Sequence, residues 1–327
     1  MSDTVLVTGG AGYIGSHVIH ALLDAQYVPV VIDNLSSGVR DFVPDSVPFL
    51  VSNINESSRV QDFIKQHSCT SVIHLAGFVS VEESVKDPIG YFNNNTCSSL
   101  SLIESCVAEN IKHFIFSSSA SVYGNPSQVQ VPETIATNPI SPYGWSKLMT
   151  EKMLEGVCAV EPMNAIALRY FNVAGADPDG RCGMMTKNAT HLIKVLCETA
   201  LGKRPQFTIF GTDYDTPDGT CIRDFIHVSD LADIHVAALD VLQKGHSGGT
   251  MNCGYGHGFS VQEVVDTVES LHGAPINIER GKRRDGDIVA LIADVTKMQA
   301  ELGWSPRHDD LNKIVETSLK WESRLDK

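Results

Sequence analysis

Residues 5–17 read V-L-V-T-G-G-A-G-Y-I-G-S-H, a short apolar strand that runs directly into a glycine-rich turn. Gly9, Gly12 and Gly15 follow one another at intervals of three, and the apolar residues over 17–25 then have helical spacing. Glycine permits the tight turn and the close approach of the backbone to a pyrophosphate, whose charge lies at the helix N-terminus. The stretch therefore predicts the strand, turn and helix that open a dinucleotide-binding fold.

A second apolar strand, over 28–32, ends in Asp33, about 20 residues after the glycines. A carboxylate at this position can bond the adenosine ribose hydroxyls, whereas it repels a 2′-phosphate. The sequence therefore favours NAD over NADP as the bound dinucleotide.

Short apolar strands and helical segments alternate through the first half of the chain. Strands are predicted at 71–75, 114–118 and 165–170, with helices around 90–110 and 142–160. This order predicts an α/β fold, a doubly wound parallel sheet of the Rossmann type with a smaller α/β substrate-binding lobe. We place the NAD-binding domain at 1–172, with 220–253 returning to it, and most of the second lobe at 173–327. Within the returning segment, 224–243 has the pattern of a strand followed by a helix.

The run S-P-Y-G-W-S-K over 141–147 places Tyr143 and Lys147 four residues apart, on one face of a helix. Ser141 is the predicted N-cap and Pro142 the predicted first helical residue. A free tyrosine, with a pKa near ~10, is a poor base at neutral pH. We expect the Lys147 cation to favour the Tyr143 phenolate, which could then take a proton from a sugar hydroxyl while a cofactor takes the hydride.

Composition narrows the class of protein. Of 327 residues, 43% are hydrophobic and 20% charged, the proportions of an ordinary globular protein with a sizeable core. The net charge of −14 argues against a nucleic-acid partner. We recognise neither a signal peptide nor a membrane span, which predicts a cytoplasmic protein without a membrane partner. The cysteines at 69, 97, 106, 158, 182, 197, 221 and 253 have neither C-x-x-C nor zinc spacing, so we expect reduced thiols and no metal.

The chain resembles the extended short-chain dehydrogenase/reductases, and among them the NAD-dependent epimerases of nucleotide sugars. The resemblance spans nearly the whole sequence. It rests on T-G-G-A-G-Y-I-G-S-H (8–17), D-N-L-S-S-G (33–38), H-L-A-G (74–77), F-S-S-S-A-S-V-Y-G (116–124), S-P-Y-G-W-S-K (141–147), L-R-Y-F-N-V-A-G-A (168–176), D-G-T-C-I-R-D-F-I-H-V (218–228) and R-R-D-G-D (283–287). It implies a homodimeric enzyme that interconverts UDP-galactose and UDP-glucose through a 4-keto intermediate on tightly bound NAD.

The resemblance also implies roles for individual residues. The catalytic residues would be Tyr143, which takes the 4-OH proton, Ser119, which bonds the same oxygen, and Lys147, which bonds the nicotinamide ribose. The cofactor would contact Gly9, Gly12, Tyr13, Ile14, Gly15, Asp33, Asn34, Ser37, Gly38, Asn53, Ile54, Leu75, Ala76, Gly77, Asn95, Ser117, Tyr143, Lys147, Tyr170 and Phe171. The UDP-sugar would contact Ser119, Tyr143, Asn172, His191, Phe210, Arg223, Arg284, Asp287 and Leu291.

Several residues depart from the pattern of that family. Asn53 stands where an aspartate is usual, Val79 where a lysine is common, and His191 where an asparagine is frequent. Leu291 occupies the position that closes the wall beside the sugar 2-substituent, where restricted enzymes have tyrosine. Leucine offers an acetamide only part of the space, so we expect N-acetyl sugars to react slowly.

Other activities fit part of the sequence. The strongest rival is an epimerase of UDP-N-acetylglucosamine, UDP-arabinose or a similar nucleotide sugar, and an NAD-binding regulatory or scaffold protein shares the fold. A 4,6-dehydratase needs acids just after the serine-rich strand, where this chain has Ala120 and Ser121. A net dehydrogenase differs in exchanging its NAD after each turnover.

Overall fold

Seven parallel strands form the central sheet of the protein, whose computed structural model describes residues 3–186, 189–284 and 287–325. The strands are β1 (Thr4–Thr8), β2 (Val28–Asp33), β3 (Phe49–Val51), β4 (Ser71–His74), β5 (His113–Ser119), β6 (Gln130–Val131), β7 (Asn164–Tyr170), β8 (Asn172–Ala174), β9 (Phe207–Phe210), β10 (Ile222–Arg223), β11 (Phe225–His227), β12 (Gly249–Cys253), β13 (Phe259–Ser260), β14 (Ile278–Gly281) and β15 (Ala290–Ala293). The central sheet has the order β12-β7-β5-β4-β1-β2-β3. The order reverses between β1 and β4, and ligands bind at such a point in parallel sheets.

Helices connect these strands and cover the sheet. They are α1 (Tyr13–Asp24), α2 (Ser57–Gln66), α3 (Val81–Lys86), α4 (Pro88–Tyr91), α5 (Ser98–Ala108), α6 (Pro142–Cys158), α7 (Leu192–Ala200), α8 (Val228–Gln243), α9 (Val261–His272), α10 (Thr296–Leu302) and α11 (Leu311–Glu322). The strands β1, β4 and β5 are almost wholly buried, because helices lie against both faces of a parallel sheet.

The second half of the chain builds smaller sheets around the carboxyl ends of the central strands. The described residues contain a four-stranded sheet in the order β13-β10-β15-β6 and the parallel pairs β8–β11 and β9–β14. Helices α7, α9 and α11 pack against one another beside them. Two elements from this half lie on the central sheet: β12 pairs with β7, and α8 packs against α1.

The predicted fold class is confirmed, and the predicted strands match β1, β2, β4, β5 and β7 within two residues. Segment 224–243 is a strand followed by a helix, as expected. Helix α1 begins at Tyr13, inside the glycine-rich turn, rather than at 17. The helix predicted around 90–110 contains a π-helical turn, Phe92–Cys97, because Asn95 turns inward to bond the backbone of Phe78. The division of the chain into two lobes stays a prediction.

Within the described ranges, no helix combines the length and apolar character that a membrane crossing requires. All eight cysteines are free thiols. Six of them are buried, as expected of structural thiols, while Cys97 is exposed and Cys158 is half-buried.

Candidate active site

A cavity of about 970 Å³ lies at the carboxyl ends of the central strands. Most of the predicted site residues line it, although they come from distant parts of the chain. These are Gly9, Gly12, Tyr13, Ile14, Gly15, Asp33, Asn34, Ser37, Asn53, Ile54, Leu75, Ala76, Gly77, Ser117, Ser119, Tyr143, Lys147, Tyr170, Phe171, Asn172, His191, Phe210, Arg223, Arg284 and Asp287. The structure thus brings the glycine-rich turn, the Tyr143 pair and the two arginines to one space.

The glycine-rich turn is packed so closely that its glycines cannot carry side chains. Gly9 has a φ of 71°, and a Cβ there would lie 2.6 Å from the Ala76 nitrogen. A Cβ on Gly15 would lie 2.1 Å from the Gly9 carbonyl oxygen. Both clashes are with backbone, which cannot move aside as a flexible side chain can. The turn therefore presents bare backbone and the N-terminus of α1 to the cavity, the surface that a pyrophosphate needs.

Asp33 ends β2 at the edge of this turn and is 8% exposed. Its carboxylate accepts hydrogen bonds from the backbone nitrogens of Ala11 (3.0 Å) and Leu35 (2.8 Å). Burial raises the pKa of Asp33, and these two hydrogen bonds act against that rise. The two bonds leave further acceptor positions on the carboxylate for ribose hydroxyls.

Helix α6 delivers Tyr143 and Lys147 to the cavity in the predicted way. Ser141 is its N-cap, with the hydroxyl accepting from the Gly144 nitrogen at 3.2 Å, and Pro142 is its first residue. Lys147 is buried, and its ammonium donates to the Ser117 carbonyl at 2.8 Å. That bond holds the charge at the end of β5, beside Tyr143.

The expectation that the Lys147 cation favours the Tyr143 phenolate stays a prediction. Burial raises the pKa of Tyr143, and a hydrogen bond with Ser119 opposes the rise. The Lys147 nitrogen lies 5.8 Å from the tyrosine ring centre, and burial lowers its own pKa to about 8. Burial is thus the largest cause of the pKa shift in both groups.

A buried ion pair lies directly behind these residues. Arg169 in β7 donates to both carboxylate oxygens of Glu151 in α6, at 2.9 and 2.6 Å. The Ser118 hydroxyl donates to the same carboxylate. Burial alone would lower the pKa of Arg169, but the hydrogen bonds and charge of Glu151 outweigh it and raise the pKa. The pair ties α6 to the carboxyl ends of β5 and β7, where Ser119 lies.

On the opposite side of the cavity, β8 and β10 supply the candidate substrate residues. The Asn172 side chain donates to the Asp224 carbonyl at 3.1 Å. The Asp224 carboxylate is fully buried and accepts from the backbone nitrogens of Tyr255, Gly256 and Ala293. Asp224 therefore fixes the strand that carries Arg223, its neighbour in the chain.

Arg284 extends over the face of Phe210, with the guanidinium carbon 3.8 Å from the ring centre. Within the described part of the basic stretch 280–284, Arg284 alone lines the cavity. Arg283 pairs with Asp213 at 2.7 Å, and Arg280 bonds Gln262. Residues 285 and 286 of the R-R-D-G-D motif lie outside the described residues.

Three predicted site residues do not line the cavity: Gly38, Asn95 and Leu291. Gly38 packs against Ala11 and Asp33, where a Cβ would clash. Asn95 is buried and orders the loop at Phe78. Leu291 is 8% exposed and belongs to the apolar core. The structure therefore does not place Leu291 on the wall that it is expected to form.

The cavity also contains residues that the sequence motifs do not indicate. Ser318, Trp321 and Glu322 reach it from α11, near the end of the chain, and Lys194 reaches it from α7. Lys194 and Glu322 form a buried ion pair with each other. Amphipathic spacing predicts a helix over 311–322 but gives no indication that it borders a ligand site.

Within the described residues, no three His, Cys, Asp or Glu side chains are grouped as a metal site would require. The fold and the cavity together define a dinucleotide-dependent enzyme with a tyrosine–lysine pair. The sequence pattern of the NAD dependent epimerase/dehydratase family matches residues 5–254, and the chain belongs to that family.

Known proteins match over nearly the whole chain. A UDP-glucose 4-epimerase of Azospirillum brasilense is 51% identical over 99% of this chain and 93% of its own length. The crystal structure of UDP-glucose-4-epimerase from Stenotrophomonas maltophila, with bound NAD and formylated UDP-arabinopyranose, is 35% identical and covers 99% of both chains with a TM-score of 0.96. The UDP-Glc/GlcNAc 4-epimerase of Campylobacter jejuni is 41% identical, covers 99% of this chain and 100% of its own, and has a TM-score of 0.88.

Proposed function

We propose that this protein is an NAD-dependent isomerase that interconverts UDP-galactose and UDP-glucose at C4. The proposal rests on one observation: Tyr143, Lys147 and Ser119 line the same cavity as the glycine-rich turn. A scaffold protein on the same fold has no use for a buried ammonium held beside a tyrosine.

The cofactor half of the cavity fits NAD. The backbone at Gly9 and Gly15 forms a cradle that a Cβ would fill, and Asp33 offers acceptors to ribose hydroxyls while repelling a 2′-phosphate. We assign this half to the predicted NAD-binding domain, 1–172 together with the segment 220–253. The rest of 173–327 supplies most of the substrate half.

When bound, oxidised NAD supplies the hydride acceptor and a positive ring charge that favours the Tyr143 phenolate. Tyr143 then takes the proton of the sugar 4-OH as the C4–H bond breaks, and Ser119 bonds the same oxygen. The resulting 4-keto sugar turns over within the cavity, and Tyr143 returns its proton when the hydride comes back to the other face. No net oxidation occurs, so one cofactor serves every turnover.

The substrate half suits a diphosphate. Arg223 and Arg284 are the described cavity-lining arginines, and a guanidinium can bind phosphate oxygens in a bidentate manner. Helix α7 begins at Leu192, and the His191 side chain makes no capping hydrogen bond, so the first backbone N–H groups of the helix remain available to an anion. A protein of net charge −14 needs such local cations to hold an anionic substrate.

A second candidate substrate is UDP-N-acetylglucosamine. Because Leu291 is packed in the core rather than on the cavity wall, its size gives no reason to exclude an acetamide. Competition between UDP-glucose and UDP-N-acetylglucosamine in one reaction, with the C4 epimer of each followed by NMR, ranks the two candidates.

We also propose that the protein is a homodimer. Leu100 of α5 and Trp145 and Met149 of α6 are each at least 40% exposed, although large apolar side chains at helical spacing are usually covered. Two copies that pair these faces would bury them symmetrically. Light scattering after gel filtration should give twice the mass of 35.5 kDa, and Trp145→Glu should halve it. A monomeric wild-type protein would refute the proposal.

The test of the reaction is Tyr143→Phe, which keeps the ring and removes the group that takes the proton. Activity should fall by about 100-fold or more while circular dichroism and bound NAD stay unchanged. Tyr27→Phe is the control, since Tyr27 does not line the cavity. Near-normal turnover by Tyr143→Phe would remove the tyrosine from the mechanism.

A further inference from the structure

His235, in the middle of α8, is fully buried and does not line the cavity. Its ring nevertheless touches one residue that does. The Tyr170 hydroxyl is hydrogen-bonded to His235 Nε2, and the two rings meet edge to face with centres 5.5 Å apart. His235 Nδ1 lies 2.8 Å from the Leu231 carbonyl oxygen, one turn earlier in the helix.

These two contacts determine the protonation of the ring. A carbonyl oxygen can only accept, so Nδ1 must carry a proton and donate it. Burial lowers the pKa of His235 to about 4, against the opposing effect of the Leu231 hydrogen bond, so the ring is neutral near pH 7. A neutral ring with a proton on Nδ1 has a bare Nε2, which can only accept. The Tyr170 hydroxyl must therefore donate to His235.

The hydrogen bond to His235 also determines which hydrogen bonds Tyr170 can form with a ligand in the cavity. Its single proton is committed to His235. A phenol oxygen can also accept hydrogen bonds. Tyr170 can therefore accept a hydrogen bond from a ligand in the cavity but has no proton to donate to it.

We propose that His235 is a positioning residue for the dinucleotide site, acting through Tyr170. By holding the phenol proton away from the cavity, it makes Tyr170 selective for an N–H or O–H donor on the nicotinamide half of NAD. Tyr170 belongs to this half because it is the register partner of Ser119 across β5 and β7, and the hydride acceptor must lie next to Ser119 and Tyr143. The inference rests on the proposed function, since it assumes that NAD occupies the cavity.

His235→Phe tests the proposal, because phenylalanine fills the same space but accepts no hydrogen bond. The Tyr170 proton then becomes free to point into the cavity, where it opposes a donor. We expect NAD to dissociate about 5- to 10-fold more readily, the scale of one hydrogen bond. The readout is the NAD released from gel-filtered protein after denaturation, together with a dissociation constant from fluorescence quenching of the stripped protein. Neither measurement requires turnover.

A double-mutant cycle separates this role from a merely structural one. In a Tyr170→Phe background, His235→Phe should weaken NAD binding no further, because the proton that His235 controls is gone. Tyr27→Phe is the matched control, because the Tyr27 hydroxyl also donates a hydrogen bond to α8, at Asp240, but lies away from the cavity. This substitution should leave NAD binding unchanged. If His235→Phe unfolds the chain, His235→Gln replaces it, because its amide can donate to or accept from Tyr170 and so removes the selectivity.

Two results would overturn the proposal: unchanged NAD affinity in folded His235→Phe, or equal losses from that substitution with and without the Tyr170 hydroxyl. Wild-type protein that binds no NAD at all would instead overturn the proposed function.

Discussion

Removal of Arg169 should destabilise the protein, because the buried Glu151 carboxylate then has no cation beside it. Arg169→Met keeps much of the side-chain volume but strips the Glu151 carboxylate of two of its three described hydrogen bonds, leaving the one from Ser118. The two side chains are only 6% and 4% exposed, so water cannot replace the lost donors. Breaking a buried pair in this way costs about 3–5 kcal/mol of unfolding free energy.

Urea unfolding followed by circular dichroism measures this cost. With an m-value of about 3 kcal/mol/M, the midpoint of Arg169→Met should fall by about 1 M or more. Lys152→Met is the matched control, because it breaks an exposed pair with Glu155 on the same helix, also of 2.6 Å, and should cost less than about 1 kcal/mol.

The double variant Arg169→Met, Glu151→Leu should recover at least half of the loss, since no buried charge then lacks a partner. The reasoning is refuted if Arg169→Met costs no more than the control, or if the double variant loses the sum of the two single losses.

Two further predictions concern the glycine-rich turn and the buried acid. Gly15→Ala should abolish NAD retention, because the added Cβ would lie 2.1 Å from the Gly9 carbonyl oxygen. Gly156→Ala in α6 is the control: its Cβ would have no neighbour within 4 Å, so this variant should retain NAD. A Gly15→Ala protein that copurifies with NAD would contradict the packing. Burial raises the pKa of Asp224 from 3.8 to about 6 despite the opposing hydrogen bonds from Tyr255, Gly256 and Ala293. The folded state then binds more protons than the unfolded state between these values, so the contribution of Asp224 to stability is lost as the pH rises from about 4 to about 6. Urea midpoints at pH 5 and pH 7 should show this fall in the wild type relative to Asp224→Asn, and the same pH dependence in both proteins would contradict the raised pKa.

Much of the site could be predicted because its physical cause is local in the sequence. The glycine spacing, Asp33 after the second strand, and the cap that orients Tyr143 and Lys147 each depend on residues within one strand, turn or helix. The parallel order of the sheet then brings the ends of these elements together.

The remaining features depend on tertiary contacts that a local pattern does not contain. Leu291 packs in the apolar core, a tertiary contact that residue spacing does not reveal. Burial raises the pKa of Tyr143, and the spacing of Tyr143 and Lys147 in the sequence does not reveal that burial. Glu322 borders the cavity because α11 packs against α7, a contact between segments more than a hundred residues apart.

The central claim is that one bound NAD carries out epimerisation without net oxidation. The most direct measurement is incubation of the purified wild-type protein with UDP-galactose in the absence of added cofactor, with the products followed by NMR. We expect conversion to UDP-glucose, the same final mixture when the reaction starts from UDP-glucose, and an unchanged amount of protein-bound NAD. No conversion, or a keto sugar that accumulates in proportion to NADH, would contradict it.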